Sequence, residues 1–475
     1  MNLRLHRQMI KVAKTADRAY LFENMPVKRA VLKQIIPAVF SQIIVLIYNL
    51  ADTYFVGMLN DPIQTAAVTV SYPAFVMLTA ISNLFAIGGA SLLARSLGQK
   101  NEKKAKSVSV ISFWGGLVCA VLFSLLFWLL AAPVLHLCGA TAETYDAAFR
   151  YSKWVIIIGG AGTILNVLLS NLVRAEGNAV MAAIGVTLGG FTNIILDPFF
   201  ALPQFLGFGA EGAGMATAIS NLTATLFFLI YICARRKHTI ITISPRHLKD
   251  TPKYIAGIIS IGIPSAIQYA LTVVSVAALS KFVSGYETAA VAGLGIVKKL
   301  DQLPLYFSIG VANGLLPFLA YNFSSGNQKR RHNAFVFGAA ISFVFSILCL
   351  VCYEAFAPVL TGLFIKDAAT IAYSSKFLRI MVVAMPMMSL CYPMIIQFQA
   401  MGKVRESLIC SILRKGVLDI PLLFIMNTMI PLYGCMAVQP IVDGISLVAA
   451  WYFYQKINKS MAITNVTEPV NGQNE

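Results

Sequence analysis

Charge is scarce in this chain. Of its 475 residues only 12% are Asp, Glu, Lys or Arg, whereas 58% are hydrophobic and the mean hydropathy is +0.74. Soluble domains carry about a quarter charged residues, so an ordinary water-soluble fold is excluded. Acids are scarcer still, with 20 Asp and Glu against 37 Lys and Arg. The five histidines (His6, His136, His238, His247, His332) fall in loops or the N-terminal arm. None makes an H-x-x-x-H pair for a metal, and no Ser or Cys nucleophile stands beside a base, so metal and nucleophilic catalysis lack their residues. The chain also lacks a phosphate-binding G-x-x-x-x-G-K-[ST] loop, which argues against direct use of ATP. No signal-peptide core precedes the first apolar run. The eight cysteines are scattered through apolar segments and read as packing residues. Cys349-x-x-Cys352 has no basic neighbour that would favour a thiolate. The sequence is therefore read as a non-enzyme without cofactor or metal.

What the chain has is long apolar runs. Spans are expected at about 34–58, 66–94, 108–133, 151–173, 179–202 and 211–234, then at about 254–282, 289–323, 334–357, 377–399, 408–430 and 435–457. Each is long enough for about 30 Å of hydrocarbon. The organisation follows: a basic arm 1–33, an N-lobe 34–234 with six spans, a basic linker 235–253, a C-lobe 254–457 with six more, and a disordered tail 458–475. Residues 1–25 suit either a helix lying on an anionic leaflet or a disordered tail. The formal charge of +17 invites a nucleic-acid reading. Its distribution opposes one, because most Lys and Arg lie in the arm, the linker and alternate loops. That is the positive-inside bias of a membrane protein with both termini cytoplasmic. A multi-pass monomer in the plasma membrane is expected, with the lipid bilayer as partner and no nucleic acid.

The two halves repeat at a shift of about 221–227 residues. Ala94 to Asn101 matches Ala320 to Asn327, Ala66-Ala67-Val68 matches Ala289-Ala290-Val291, and Leu196-Asp197 matches Leu418-Asp419. Six spans per half is an even number, so the repeat is parallel, an arrangement associated with transporters that expose a midplane site to each side in turn.

Within the first span, Asn49 and Asp52 share a helix face, as do Asn193 and Asp197 in the fifth. An ionised acid in a span costs about 2.5–3.5 kcal/mol on insertion scales and is a functional hypothesis by default. Apolar surroundings disfavour the charged carboxylate, so such an acid can load and release protons, and two close acids titrate as a pair. Interhelical bridging is the rival role. Pro37 is either a bend in the first span or a first-turn residue. Gly88-Gly89, Gly159-Gly160, Gly185 and Gly189-Gly190 read as close helix packing. Lys298, Lys299 and Asp301 in the eighth span, and Arg414, Lys415 and Asp419 in the eleventh, read as internal ion pairs or as a second charged site. Gln42, Asn166, Gln268, Lys299, Asp301 and Asp419 are the candidate cavity-lining residues.

Phe22-Glu23-Asn24 through Pro37, Asn49-Leu50-Ala51-Asp52-Thr53 with Gly57, Gly88-Gly89-Ala90 to Gly98, Arg174-Ala175-Glu176-Gly177-Asn178 and Asn193-Ile194-Ile195-Leu196-Asp197-Pro198 resemble the multidrug and toxic compound extrusion (MATE) family, most closely its MepA-like bacterial group. The resemblance covers about residues 22–457. It implies an all-α membrane fold of twelve helices in two six-helix lobes around a cavity, and antiport of small lipophilic cationic drugs against protons or sodium. In DinF-like members the acids matched by Asp52 and Asp197 are the proposed cation site. NorM-like members place cation-binding acids in the seventh and tenth helices, whereas 254–282 and 377–399 hold no Asp or Glu here. The resemblance therefore favours protons coupled at Asp52, Asp197, Asn49 and Asn193, with sodium left open. A lipid-linked precursor flippase shares the broad architecture and is the alternative; it would be expected to show a strongly cationic cavity and extra spans.

Overall fold

A chain that buries its backbone in hydrocarbon must satisfy every N–H and C=O internally, and helices do so within one segment. The computed structural model describes residues 20–467, and among them there is no strand. After a π-helical turn, Tyr20–Asn24, the helices are α1 Val27–Gly57, α2 Pro62–Gly98, α3 Glu102–Leu137, α4 Tyr145–Ser152, α5 Gly160–Ala175, α6 Ala179–Ala201 and α7 Gly209–Ala234. The second half holds α8 Thr251–Val283, α9 Thr288–Ser324, α10 Gln328–Gly362, α11 Ala368–Val382, α12 Ala384–Met401, α13 Val404–Ile412, α14 Asp419–Met429 and α15 Tyr433–Thr467.

Nine of these, counting the short 3-10 turn before α8 as part of it, are individually long and apolar enough to cross a membrane. Two bent pairs, α4 with α5 at 47° and α11 with α12 at 44°, supply the fourth and tenth spans. The eleventh differs from the continuous run expected at 408–430. It breaks between α13 and α14, where Lys415 is extended (φ −139°, ψ 111°) and Gly416 has φ 120°, a region that favours glycine. Two boundaries also differ from expectation. Helix α15 continues to Thr467, past the expected end of order at 457, and the described part of the expected basic arm includes the π-helical turn Tyr20–Asn24 and the start of α1. The possible interfacial helix at 1–25 lies mostly outside the described residues.

The internal repeat is visible in local geometry. Asn101 and Asn327 each cap a helix, accepting from Lys104 N at 2.9 Å and Arg330 N at 3.1 Å. Such caps contribute about 1 kcal/mol each. The third helix of each half leaves helical geometry just before a proline, at Leu130 before Pro133 and at Phe356 before Pro358.

The spans alternate between a basic face, where the Lys- and Arg-rich loops gather, and an opposite face. Packing divides along the same axis. One hydrophobic core takes residues from both halves, among them Ile35, Val39, Leu93, Leu172, Ile258, Leu315 and Phe398. Toward the opposite face it gives way to two separate cores, one in the N-lobe around Leu78, Phe127 and Ile164 and one in the C-lobe around Leu294, Phe377 and Val442. The lobes are thus joined at the basic side and parted at the other, leaving a cleft. Glycine makes the join possible. A Cβ on Gly262 would lie 1.8 Å from Leu84 O, and one on Gly88 would lie 2.0 Å from Ile258 O. Gly262→Val is therefore expected to force α8 from α2. Overpacking of this kind costs about 1–3 kcal/mol, read as a lengthened spin-label distance between the lobes at the basic face.

The linker is not a free tether. Glu176 accepts from Ile240 N at 2.7 Å, Trp114 Nε1 donates to Ile243 O at 3.0 Å, and Ser107 Oγ donates to Asp250 Oδ2 at 2.6 Å. The Ser107 bond, with nearby Lys103, Lys253 and Lys249, holds the Asp250 carboxyl below its usual range. This contact is present above the ordinary carboxylate titration and is lost as pH falls below it.

Candidate functional site

The polar groups of the N-lobe meet where α1 and α6 touch. Gly190 permits the approach, since a Cβ there would lie 2.5 Å from Ile44 Cγ2 and 3.2 Å from Tyr48 Cδ1. One turn further along each helix stand Asp52 and Asn193, then Asp197. Asp197 is fully buried and Asn193 nearly so. Asn193 Nδ2 donates to Asp197 Oδ1 at 3.2 Å and lies 3.4 Å from Thr217 Oγ1 of α7. Asp52 is within electrostatic reach of Asp197, and both act on Tyr48 and Tyr151. The two acids singled out from sequence thus lie within electrostatic reach of each other, whereas Tyr48, Tyr151 and Thr217 were missed. Tyr48, one turn before Asp52, was the readable one.

The site has more acceptors than donors. Asp52 Oδ1, Asp197 Oδ2 and Asn193 Oδ1 are all buried without a hydrogen-bond partner among the described residues. Buried polar atoms are nearly always paired, so these three oxygens make the site an acceptor-rich focus within the N-lobe.

Asn49 points elsewhere. Its Nδ2 donates to Tyr306 Oη of α9 at 3.2 Å, across the cleft between the lobes. Tyr48, Tyr72 and Tyr269 are within electrostatic reach of Tyr306, so phenol groups from both lobes gather near the cleft. A neutral hydrogen bond contributes about 0.5–1.5 kcal/mol net. Tyr306→Phe is therefore expected to shift the balance of lobe arrangements by up to about tenfold, measured by cysteine accessibility at the two faces.

The other expected cavity residues are dispersed. Asn166 bridges α5 to α7 through Asn221 Oδ1 at 2.9 Å. Gln268 is buried and lies 3.5 Å from Ser411 Oγ, and Gln42 is half-buried. Pro37 sits well inside α1, which runs through it as one helix; it is not a first-turn residue. The glycines act as packing residues: Gly185 faces Phe228, Gly160 faces Ser124 and Gly89 faces Ser112.

In the C-lobe the charges pair differently from the sequence grouping. Arg414 bonds Asp443 of α15 at 3.0 Å, both 1% exposed, and its guanidinium lies 4.2 Å from the Tyr392 ring centre. Lys415 Nζ donates to Gln439 Oε1 at 2.6 Å, and Gln439 Nε2 to Asp443 Oδ2 at 2.7 Å. Asp419 instead accepts from Ser275 Oγ at 2.6 Å. Lys299 and Asp301 are half-buried on α9. Asp443 was missed, although Gln439 and Asp443 are spaced to share a helix face.

Comparisons with known proteins agree with this architecture. The multidrug export protein MepA of Staphylococcus saprophyticus is 31% identical over 436 residues, 91% of this chain and 95% of that protein. MepA of Staphylococcus aureus is 30% identical over 438 residues, with the same coverage. A structure described as the outward-facing conformation of a multidrug resistance MATE family transporter superposes with a TM-score of 0.87 at 22% identity, covering 94% of this chain and 98% of that one. A Pyrococcus furiosus transporter, described as having a binding pocket of reverse polarity, gives 0.86 at 22% identity and the same coverage. The MatE family model matches residues 37–199 and 264–425, one stretch in each lobe and more than half of the whole, and the chain accordingly belongs to the MatE family.

Proposed function

We propose that the protein is a multidrug exporter that moves lipophilic organic cations out of the cell in exchange for protons bound at Asp52 and Asp197. The observation that carries this reading is the meeting of Asp52 and Asp197 inside the N-lobe, within electrostatic reach of each other and with Asn193 bonded to Asp197. A proton on either carboxylate turns one acceptor into a donor and removes a charge from an apolar site, whereas three oxygens are few for a hard metal cation. The positive-inside bias makes the basic face cytoplasmic, so the cleft faces outward and a proton would load from outside. The phenol rings of the cleft offer cation-π surfaces to flat cations. The MepA relatives, named as multidrug export proteins, support the substrate class.

Coupling needs the proton and the drug to differ in their affinity for the two lobe arrangements, or to compete for the same charge. Protonation of the N-lobe acids in the outward-open state would weaken the hold on a cation and favour its release there. The lobes would then part at the shared core on the cytoplasmic side and close over the cleft.

The test is expression in a bacterium stripped of its own exporters. Ethidium accumulation is expected to fall, and to recover when a protonophore collapses the proton gradient. Unchanged accumulation of ethidium and other cationic dyes would set this reading aside and bring forward a lipid-linked precursor as cargo.

A further inference from the structure

The two lobes join at the basic face, and a short segment ahead of the first span takes part in that join. Tyr20–Asn24 and Met25 are set off from α1 by Pro26, whose backbone is extended (φ −48°, ψ 132°). A segment outside the spans is free to lie in water, yet Leu21, Phe22 and Met25 are buried, Phe22 completely. All three belong to the hydrophobic core that both lobes share.

On one side the segment rests on the N-lobe. Gly177, in the turn between α5 and α6, has φ 97°, and a Cβ there would lie 3.1 Å from Phe22 Cε2 and 3.3 Å from Leu21 Cδ2. Gln34 of α1 holds the same turn, its Nε2 donating to Gly177 O at 3.1 Å. Chain continuity and packing thus anchor the segment to the N-lobe. On the other side the C-lobe clasps it with side chains. Phe22 stacks on Tyr321 of α9, with ring centres 4.7 Å apart and planes 15° from parallel, and Tyr321 Oη donates to Glu23 Oε1 at 2.7 Å. Arg330 of α10 donates from Nε to Phe22 O at 2.6 Å and from Nη2 to Leu21 O and Met25 O. One guanidinium therefore closes on three backbone carbonyls, and hydrogen bonds from a charged donor are the stronger kind.

The repeat supplies a counterpart. In the register that matches Pro37 to Pro264, Glu23 falls on Asp250 of the linker. That residue leads into α8 of the C-lobe and is bonded to Ser107 on α3 of the N-lobe. Each lobe's leading segment is held by the other lobe.

We propose that residues 20–25 are a cytoplasmic latch, a segment of the N-lobe that Arg330 and Tyr321 of the C-lobe clasp while the basic face is closed and release when the lobes part there. Contacts shift a two-state equilibrium only when they differ between the states. Those of Arg330 and Tyr321 differ because they join one lobe to the other, so they favour the outward-facing arrangement and their loss favours the inward-open one. The latch rests on the alternating-lobe part of the function proposed above, and not on the coupling ion or the cargo.

The experiment is pulsed spin-label distance measurement on the full chain in lipid nanodiscs, with the eight native cysteines replaced by alanine. Labels at Lys103→Cys on α3 and Lys456→Cys on α15, both exposed, report the lobe separation at the basic face. Labels at Asn24→Cys, also exposed, and Lys456→Cys report the segment against the C-lobe. Arg330→Gln is expected to raise the ratio of long to short distances between the lobes about tenfold or more, with the distance from Asn24 to Lys456 lengthening in step. Tyr321→Phe removes only the Glu23 bond and keeps the stacked ring, so a smaller rise in the same direction is expected; it also serves if Arg330→Gln does not fold. Unchanged distributions in these variants overturn the proposal. A lobe distance that lengthens while Asn24 keeps its distance from the C-lobe also overturns it, because the segment would then be a fixed part of that lobe. If the wild type moves no dye while the distances respond as expected, the function proposed above fails and the latch stands; if it exports dye while the variants leave both distributions fixed, the latch fails and the function stands.

Discussion

Asp52→Asn is expected to abolish proton-driven accumulation of a cationic dye in reconstituted vesicles while leaving dye binding within a few-fold of wild type. The amide keeps the size and one acceptor of the carboxylate but can neither take up a proton nor carry a charge. In a one-for-one exchange, a gradient of one pH unit sustains about tenfold accumulation, equivalent to about 1.4 kcal/mol. The variant should fall to the leak of empty vesicles. Asp197→Asn should do the same, because the two acids lie within electrostatic reach of each other and act as one group. A purely structural pair would behave otherwise: its loss would lower thermal stability and dye binding together, with whatever transport remained still coupled.

Asp443→Ala should produce the largest loss of stability of any single substitution considered. The pair with Arg414 is buried on both sides. Removing one partner of such a pair costs about 3–5 kcal/mol, since the other charge is left in an apolar interior. The Tyr392 ring beneath the guanidinium offsets little of this, and Arg414 Nη1 is already without a partner among the described residues. Thermal unfolding in detergent measures the effect. The double substitution Arg414→Met with Asp443→Leu should regain much of the lost stability, because no charge remains unpaired. If the single variant unfolds at the wild-type temperature, the buried pair contributes little to the C-lobe.

The lobes and their parallel repeat were legible because hydropathy and capping are local properties. Asn101 and Asn327 stand in matching loops and both prove to be caps. The Asn193 to Asp197 contact was legible for the same reason, as it lies within one helix turn. Tertiary contacts were not. Nothing local tells that Asn49 reaches Tyr306 across the cleft, or that Arg414 prefers Asp443 to the nearer Asp419. The break at Lys415 and Gly416 was hidden because hydropathy averaged over the whole run still reads as a span, even with Arg414, Lys415 and Asp419 inside it. Helix α15 overran its expected end at 457 because its last turns are polar and hydropathy stops at the membrane, whereas helix formation does not.

The most direct test of the central claim is dye transport by wild-type protein in vesicles under separately imposed proton and sodium gradients, with membrane potential clamped. A proton gradient alone should drive uphill movement, and a sodium gradient alone should drive none. Uphill transport on the sodium gradient, with none on the proton gradient, would contradict the account, since the cation loaded at Asp52 and Asp197 would then be a metal ion rather than a proton.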